Sequence, residues 1–492
     1  MMKAPAHRVE ISEAWVEFML RDYINRHNPQ AIVTIKSFNV SNATKPGDGY
    51  SGDLCLLDIQ AHIDYCDGDN GDLESKKAEL NNHAGVNNYS FIVKLANPNV
   101  FFAHMQTVIG QNMREFKIYS EVIQELNKFQ REKTSNQFPI IIPEYIYGKC
   151  SNDEFVLVME NMKQLDYVTN PKKSPINLHQ SKKVLEQQAR VHAVSYAYNN
   201  MHNLLVKYPC LKPGIYTELL TVGMPMNLDL AIEYLESING QGPLIKKIRA
   251  AKSNVVKTCK DSFKNESNYQ IMCLMHGDSW NNNFLFKQKV DENGGKSVKD
   301  SDDVMLIDWQ ISHWNTPVAD LSYFFHSSTS PTFRKTHIDE LLKYYHTIFT
   351  EITIKLGTPV PHWTFDQLKK EYDQMKVFGF LRALTFAGIH SDAGTNLTLG
   401  DVQTGVTNPV INSIKKGIAK AMVPLMLRPS ILEAGMKKML NPVREELLSG
   451  KNQLFCDLFL EILIEAEQNG IFEAELYNTD ESENVSRSLK CI

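Results

Sequence analysis

The segment MHGDSWNNNFLF at residues 275–286 places an aspartate and an asparagine five positions apart in a stretch that resists both helix and strand. An aspartate in a turn can accept a proton from a substrate hydroxyl, and an asparagine five residues later can reach round that turn to ligate Mg²⁺. Further on, Asp308 ends the apolar run VMLI. A carboxylate there can bind a metal ion as a hard oxygen ligand and join it to nucleotide phosphates. Asp278, Asn283 and Asp308 therefore follow in the order that a phosphoryl-transfer site needs.

Two features upstream fit the same chemistry. Lys94 lies in the alternating strand SFIVKLAN, and Glu115 is the acidic residue of the following predicted helix that could position it. A lysine held in this way could bind nucleotide phosphates. The turn PGDGYSG at 46–52 could supply backbone N–H groups over those phosphates. The candidate nucleotide contacts in this turn are Gly47, Gly49, Tyr50 and Ser51.

Each of these signals taken alone has a structural explanation. His-Gly-Asp is a common turn, a strand lysine often extends to solvent, and Gly-Asp-Gly joins many hairpins. Asp320, which follows Pro317, has the sequence context of a helix N-cap. Trp280 and Trp309 flank the site, where packing is the commoner role for tryptophan. The order of all the polar anchors along one chain is what favours a catalytic site.

The elements that must hold these residues begin with a strand-rich part. Its predicted elements are a helix at 12–26 with Ser12 as N-cap, two strands within 31–63, a strand at 90–97, a helix at 112–129, and strands in IIPEYIYG and FVLVMEN. We therefore expect residues 1–160 to form a small antiparallel sheet with one internal helix.

From about residue 161 the pattern turns helical. Short strands are expected only around LFKQ and VMLIDW, where they would form a two-stranded ribbon. We expect a mostly helical part at 161–430 and a helical extension at 431–492 with a frayed polar tail. The predicted fold class is α+β.

Composition excludes several classes of protein. The 492 residues are 43% hydrophobic and 22% charged, as in a soluble globular protein. The net charge of -5, with no long Lys/Arg block, argues against a nucleic-acid partner. We find no secretory signal or membrane span, and the eight scattered cysteines suggest reduced thiols, so we expect a cytoplasmic protein with no evident partner protein.

Taken together, the motifs resemble the kinase-like fold of the choline kinase and aminoglycoside phosphotransferase group. More narrowly, they resemble the ecdysteroid kinase-like (CHK kinase-like) family of arthropods. The matching pieces, spread over roughly residues 30–400, are GDGYSG, FIVKL, REFKIYSEV, VLVMEN, the HA pair of ARVHA, HGDSWNNNFLF, and LIDWQ followed by TPVADLSYFF. Family members often show Glu-Asp-Leu where this chain has Glu160-Asn161-Met162. Gln310, where choline kinases tend to carry a carboxylate, favours the ecdysteroid kinase-like branch.

The resemblance implies a two-lobed protein kinase-like fold with a small antiparallel N-terminal lobe and a larger helical C-terminal lobe. It also implies ATP and Mg²⁺ as cofactors. The implied roles are catalytic base for Asp278, Mg²⁺ ligands for Asn283 and Asp308, a phosphate-holding ion pair for Lys94 and Glu115, adenine binding by backbone near Glu160 and Met162, and bracing of the catalytic loop by His276 and Asp320.

The acceptor is less well determined. Kinases of choline or aminoglycosides need several carboxylates to balance a cation, whereas residues 311–400 are rich in aromatic side chains with acids between them. That composition suits an apolar polyol such as a steroid, although aromatics at helical spacing usually pack between helices. Three interpretations stay open: a kinase of an ecdysteroid or another apolar alcohol or xenobiotic, a choline or ethanolamine kinase, and a non-catalytic ligand-binding protein. Retention of every catalytic residue type favours an enzyme.

Overall fold

The computed structural model describes most of the chain as two compact units. The described residues are 2–26, 28–29, 31–43, 52–65, 86–151, 154–171, 174–264, 269–290, 294–390 and 409–473. The first unit comprises Met1–Gln124, Ile142–Tyr167 and Thr398–Lys420, and the second comprises Glu125–Ile141, Val168–Leu397 and Ala421–Ile492. Helices are combined with small antiparallel sheets, so the predicted α+β class is confirmed.

A five-stranded antiparallel sheet forms the centre of the first unit. In the order β1-β2-β3-β5-β4 across the sheet, its strands are β1 (Ala31–Asn42), β2 (Asp53–Tyr65), β3 (Asn87–Leu95), β4 (Tyr145–Cys150) and β5 (Phe155–Glu160). Successive side chains of a strand point to opposite faces of the sheet, so Leu57 and Ile59 of β2 share a face, and both are buried in the core. Helix α1 (Glu13–Asn25) adds Trp15 to the same core, and Ser12 caps it as predicted.

The connection between β3 and β4 contains more helix than predicted. Helix α2 (Val100–Val108) starts at Asn99, whose side chain accepts a hydrogen bond from the Phe101 amide at 3.0 Å. Helix α3 (Gln111–Lys117) continues through a π-helical turn, Ile118–Val122, into α4 (Ile123–Thr134). The prediction of one internal helix at 112–129 was therefore wrong in number and extent. The stretch VFFAHM is too uniformly apolar to show a helical period, so the pattern gave no signal for α2.

Helices dominate the second unit. From residue 178 onward the described helices are α5 (Leu178–His202), α6 (Leu204–Lys207), α7 (Ile215–Ser237), α8 (Gly242–Lys264), α9 (Pro317–Ser328), α10 (Pro331–Lys355), α11 (Phe365–Gln374), α12 (Lys376–His390), α13 (Pro409–Met426), α14 (Pro429–Ser449) and α15 (Gln453–Gln468). Residues 409–420 of α13 belong to the first unit, and the other helices of this list belong to the second. Helix α5 begins with a reciprocal capping box between Asn177 and Gln180, which fixes its start at Leu178.

Short antiparallel strands carry the turns of the site. The predicted pairing is confirmed as β8 (Phe284–Lys287) with β11 (Val304–Leu306). The prediction of only two strands was wrong, because β6 (Tyr167–Thr169) pairs with β8 and makes the sheet three-stranded. The expectation that strands occur only there was wrong. Two further pairs exist, β7 (Cys273–Met275) with β12 (His313–Asn315), and β9 (Lys289–Val290) with β10 (Lys296–Ser297). Segments of two or three residues are too short to show a strand period in sequence.

The described C-terminal residues contribute to the core of the second unit. Phe459 of α15 packs edge-on against Tyr234 at 5.6 Å, and Glu465 forms an ion pair with the buried Arg334. None of the helices in the described part of the chain combines the length and apolar character needed to cross a membrane. The polar tail from residue 474 lies outside the described residues.

Candidate active site

The turn that carries Asp278 is shaped by its glycine. Strand β7 pairs with β12 and leads directly into His276, Gly277 and Asp278. Gly277 has φ +84°, and a Cβ atom there would lie 2.6 Å from the Ile311 carbonyl oxygen. An L side chain is disfavoured in this backbone region and would also collide with main chain, so the turn requires glycine.

Asp320 braces this turn from behind. Its buried carboxylate accepts hydrogen bonds from the His276 amide at 2.5 Å and the Gly277 amide at 2.8 Å. It also lies 3.1 Å from Nε2 of His192, whose Nδ1 is 2.8 Å from the Tyr345 hydroxyl. Burial raises the pKa of Asp320, but the hydrogen bonds from His192 and the Gly277 amide outweigh burial and hold that pKa below its usual value. The carboxylate is thus kept ionised as an acceptor.

His276 connects the Asp278 turn to the strand end before Asp308. Its Nε2 donates to the Ile307 carbonyl at 2.9 Å, and its Nδ1 accepts from the Asp278 amide at 3.2 Å. In this pattern Nε2 is the donor and Nδ1 is the acceptor. The ring also packs against Trp309, 4.5 Å between centroids. His276 therefore acts through the backbone on both sides and has no spare ring nitrogen for proton transfer.

Asp278 and Asn283 are held together by direct hydrogen bonds. The 3-10 turn Asn281–Asn283 brings the side-chain nitrogen Nδ2 of Asn283 to 2.9 Å from both the backbone carbonyl oxygen and the carboxylate Oδ2 of Asp278. The Tyr323 hydroxyl donates to the other carboxylate oxygen, Oδ1. Because the Asn283 side chain donates through nitrogen, its amide oxygen is the atom suited to a cation.

Asp308 lies close enough to Asp278 for their charges to interact. The Ile307 amide donates to the Asn283 carbonyl at 3.0 Å, which ties the chain before Asp308 to the chain after Asp278. Burial raises the pKa of Asp278, and the negative charge of Asp308 raises it further, while the Tyr323 hydrogen bond lowers it. The Asp308 carboxylate and the Asn283 amide oxygen are hard oxygen ligands of the kind that Mg²⁺ prefers, so the residues present fit this metal.

The backbone of Asp308 is itself unusual. Its φ is +64°, in the left-handed region that few residues other than glycine, asparagine and aspartate adopt. Trp309, which follows it, is fully buried and donates from Nε1 to the Leu306 carbonyl at 3.0 Å. That anchor helps to hold the turn, so Trp309 is a packing residue.

In the first unit, Lys94 and Glu115 form a buried ion pair. The Lys94 Nζ lies 2.8 Å from Oε1 and 2.7 Å from Oε2 of Glu115, and the two residues are 5% and 1% exposed. Lys94 is in the middle of the sheet because β3 pairs with β2 on one side and β5 on the other. A Cβ at Gly52 would lie 2.9 Å from the Leu95 carbonyl oxygen, so glycine permits the close approach of the chain at the start of β2.

The other predicted nucleotide contacts are only partly described. Gly47, Gly49, Tyr50 and Ser51 lie outside the described residues. The Glu160 amide donates to the Glu144 carbonyl at 3.0 Å, and the Asn161 side chain caps a short 3-10 helix that starts at Met162. The Met162 side chain is buried, so the segment from Glu160 to Met162 is held at one end by the Glu160 hydrogen bond and at the other by packing of Met162.

Sequence reasoning missed Tyr323 and His192 as members of the site. In the sequence, Tyr323 is one of the many aromatic residues of 311–400, and His192 is the histidine of the HA pair in ARVHA. The available signal was the spacing of Asp320 and Tyr323, since residues three apart on a helix share a face. From α9, Asp320 holds the backbone of the turn and Tyr323 holds the Asp278 side chain.

Comparison with known proteins agrees with the motif-based expectation. The family relationship identifies the chain as a kinase-like protein. It belongs to the ecdysteroid kinase-like family, whose sequence model matches residues 47–358, more than half of the chain. No curated protein sequence gives a significant match. The matched range includes the glycine-bearing turn, Lys94, Glu115 and the loop from His276 to Asp308.

Proposed function

We propose that the protein is an ATP- and Mg²⁺-dependent small-molecule kinase that phosphorylates a hydroxyl of an apolar alcohol, an ecdysteroid or a similar steroid or xenobiotic. The observation that carries the proposal is the connected arrangement of Asp278, Asn283 and Asp308. Asp278 would accept the proton of the attacking hydroxyl. Tyr323 and Asn283 orient its carboxylate.

The remaining residues would bind the nucleotide. Asn283 and Asp308 would hold Mg²⁺, which when bound neutralises the charge that develops on the transferred phosphoryl group. Lys94, positioned by Glu115, would bind phosphate oxygens in the first unit. Backbone groups near Glu160 and Met162 would receive the adenine, and the turn at 46–52 would donate N–H groups to phosphate.

The test is ATP consumption by the purified protein with Mg²⁺ and one acceptor at a time: ecdysone, 20-hydroxyecdysone, choline, ethanolamine or an aminoglycoside. With the true acceptor, Asp278→Asn should reduce turnover by roughly 10²- to 10⁴-fold while ATP binding stays intact. Asp302→Asn, at an exposed carboxylate of the same unit, is the matched control and should leave turnover unchanged.

Each outcome has a distinct meaning. Steroid-dependent turnover that Asp278→Asn abolishes supports the proposal. Turnover with choline and with no steroid would show that the acceptor is choline and not an apolar alcohol. ATP binding without turnover on this panel or a wider set of alcohols would favour a non-catalytic ligand-binding protein.

A further inference from the structure

An aromatic cluster adjoins Asp278 in the second unit. It consists of Trp280, Tyr323, Phe378 and Phe386, with ring centroids 4.9 Å apart for Trp280 and Phe386 and 5.6 Å apart for Tyr323 and Phe386. Tyr323 also donates its hydroxyl to Asp278. The faces of such rings attract cations, and several rings around one point are the usual binding site for a quaternary ammonium group.

In this chain an arginine already occupies the cluster. The guanidinium carbon of Arg382 lies 4.0 Å from the Tyr323 ring centroid and 5.2 Å from that of Phe386. Arg382 is 7% exposed, and its Nε is buried without a hydrogen-bond partner among the described residues. Guanidinium groups stay charged in proteins, and the charge of Arg382 lowers the pKa of Asp278. A buried N–H group normally also has a hydrogen-bond acceptor, which the Nε of Arg382 lacks among the described residues. Arg382 therefore has hydrogen-bonding capacity that the described protein does not use.

The position of Arg382 is set by close packing of two helices. Gly379 lies on α12 three residues before Arg382, and a Cβ atom there would collide with His326 and Ser322 of α9. Because Gly379 lets the helices approach, the next turn of α12 brings Arg382 over Tyr323, which is on α9.

We propose that Arg382 is a specificity-determining residue that excludes cationic acceptors and donates hydrogen bonds to an oxygen of a neutral or anionic alcohol. The inference rests on the proposed function, because it assigns the acceptor side of the Asp278 site. The guanidinium covers ring faces that an ammonium group would need, and its charge repels a second cation. Phe378, Arg382 and Phe386 lie beyond the matched range 47–358, so the family match does not assign them this role.

The test uses two alcohols of nearly the same shape, choline and its uncharged analogue 3,3-dimethylbutan-1-ol. Their dissociation constants are measured by ligand-observed NMR for the full chain as wild type, Arg382→Met and Arg382→Lys. Methionine keeps an unbranched apolar side chain among the rings and removes the charge, whereas lysine keeps the charge. Thermal unfolding of each variant verifies that it is folded.

Arg382→Met should bind choline at least about tenfold more tightly than wild type, because the repulsion of like charges about 5 Å apart is removed. Arg382→Lys keeps the positive charge, so it should still bind choline more weakly than 3,3-dimethylbutan-1-ol. The analogue should lose affinity in Arg382→Met, since its hydroxyl loses a donor. A choline affinity that is the same in wild type and Arg382→Met would overturn the inference.

Binding and turnover separate this inference from the proposed function. If choline binding rises in Arg382→Met but no alcohol is phosphorylated by wild type, the kinase proposal fails and the selectivity stands. If neutral alcohols are phosphorylated but Arg382→Met leaves the choline affinity unchanged, the kinase proposal stands and the role of Arg382 is refuted.

Discussion

Replacement of Lys94 by methionine should separate the structural and nucleotide-binding roles of the buried pair in the first unit. The Lys94 ammonium contacts both carboxylate oxygens of Glu115, at 2.7 and 2.8 Å, and both residues are almost fully buried. Methionine preserves the unbranched apolar part of the side chain. It therefore removes the cation while leaving the Glu115 carboxylate in its buried position.

The expected cost follows from the burial of the pair. Removing one partner of a buried ion pair destabilises a protein by about 3–5 kcal/mol, because the remaining charge stays buried and loses its closest opposite charge. Replacing both partners by apolar residues, as in Lys94→Met with Glu115→Leu, is often close to neutral. The double variant should therefore be more stable than Lys94→Met alone.

Two assays distinguish the roles. Hydrogen exchange of the β3 and β5 amides reports the free energy of opening of this sheet, which Lys94→Met should lower and the double variant should largely restore. Calorimetric titration with ATP and Mg²⁺ should show weak binding in both variants. Lys117→Met is the control, because the Lys117–Glu121 pair is partly exposed and its loss should cost less than about 1 kcal/mol.

Opposite results would refute the reasoning. Wild-type stability of Lys94→Met would mean that the buried charge is compensated in another way. Wild-type ATP affinity in the double variant would refute a phosphate-binding role for Lys94 while leaving its structural role intact.

Three further predictions concern the Asp278 loop. Gly277→Ala should lower stability by about 2 kcal/mol or more in thermal unfolding, because it combines a positive φ with a clash against the Ile311 carbonyl. Asp308→Asn should keep the fold, since asparagine tolerates φ +64°, whereas Asp308→Ala should lower the free energy of unfolding by about 1 kcal/mol. Both variants should lose Mg²⁺-dependent nucleotide binding in calorimetry. Asp320→Asn should cost about 3 kcal/mol at pH 7, because three donors converge on the carboxylate. The folded-state pKa of Asp320 lies below its ordinary value of 3.8, so this stabilisation is complete above pH 3.8 and is lost as pH falls through the folded pKa. In denaturant titrations, the difference in unfolding free energy between wild type and Asp320→Asn should therefore become smaller below pH 3.8. A difference that does not change with pH would contradict the stabilising role of the ionised Asp320 carboxylate.

The order of chemically capable residues was readable from the sequence. Lys94, Glu115, Asp278, Asn283 and Asp308 are each common residues, but their sequence along one chain led to the family that the comparison confirms. The five strands of the first unit were also predictable, because alternating apolar residues and turn residues mark them locally. The three-residue strands β7 and β12 were not, since such short segments are defined by their partners and not by their own pattern.

Local sequence determined which residue types were available and where the longer strands and most of the helices would form. Tertiary structure alone decided which side chains meet: Asp320 reaches two amides of the Asp278 turn, and His192 reaches Asp320 across 128 positions of sequence. The same holds for Arg382, whose position over Tyr323 depends on the close approach of two helices at Gly379. Hydrogen bonds and ring contacts act over a few ångströms in space, so residues far apart in the chain become one site only when packing brings them together.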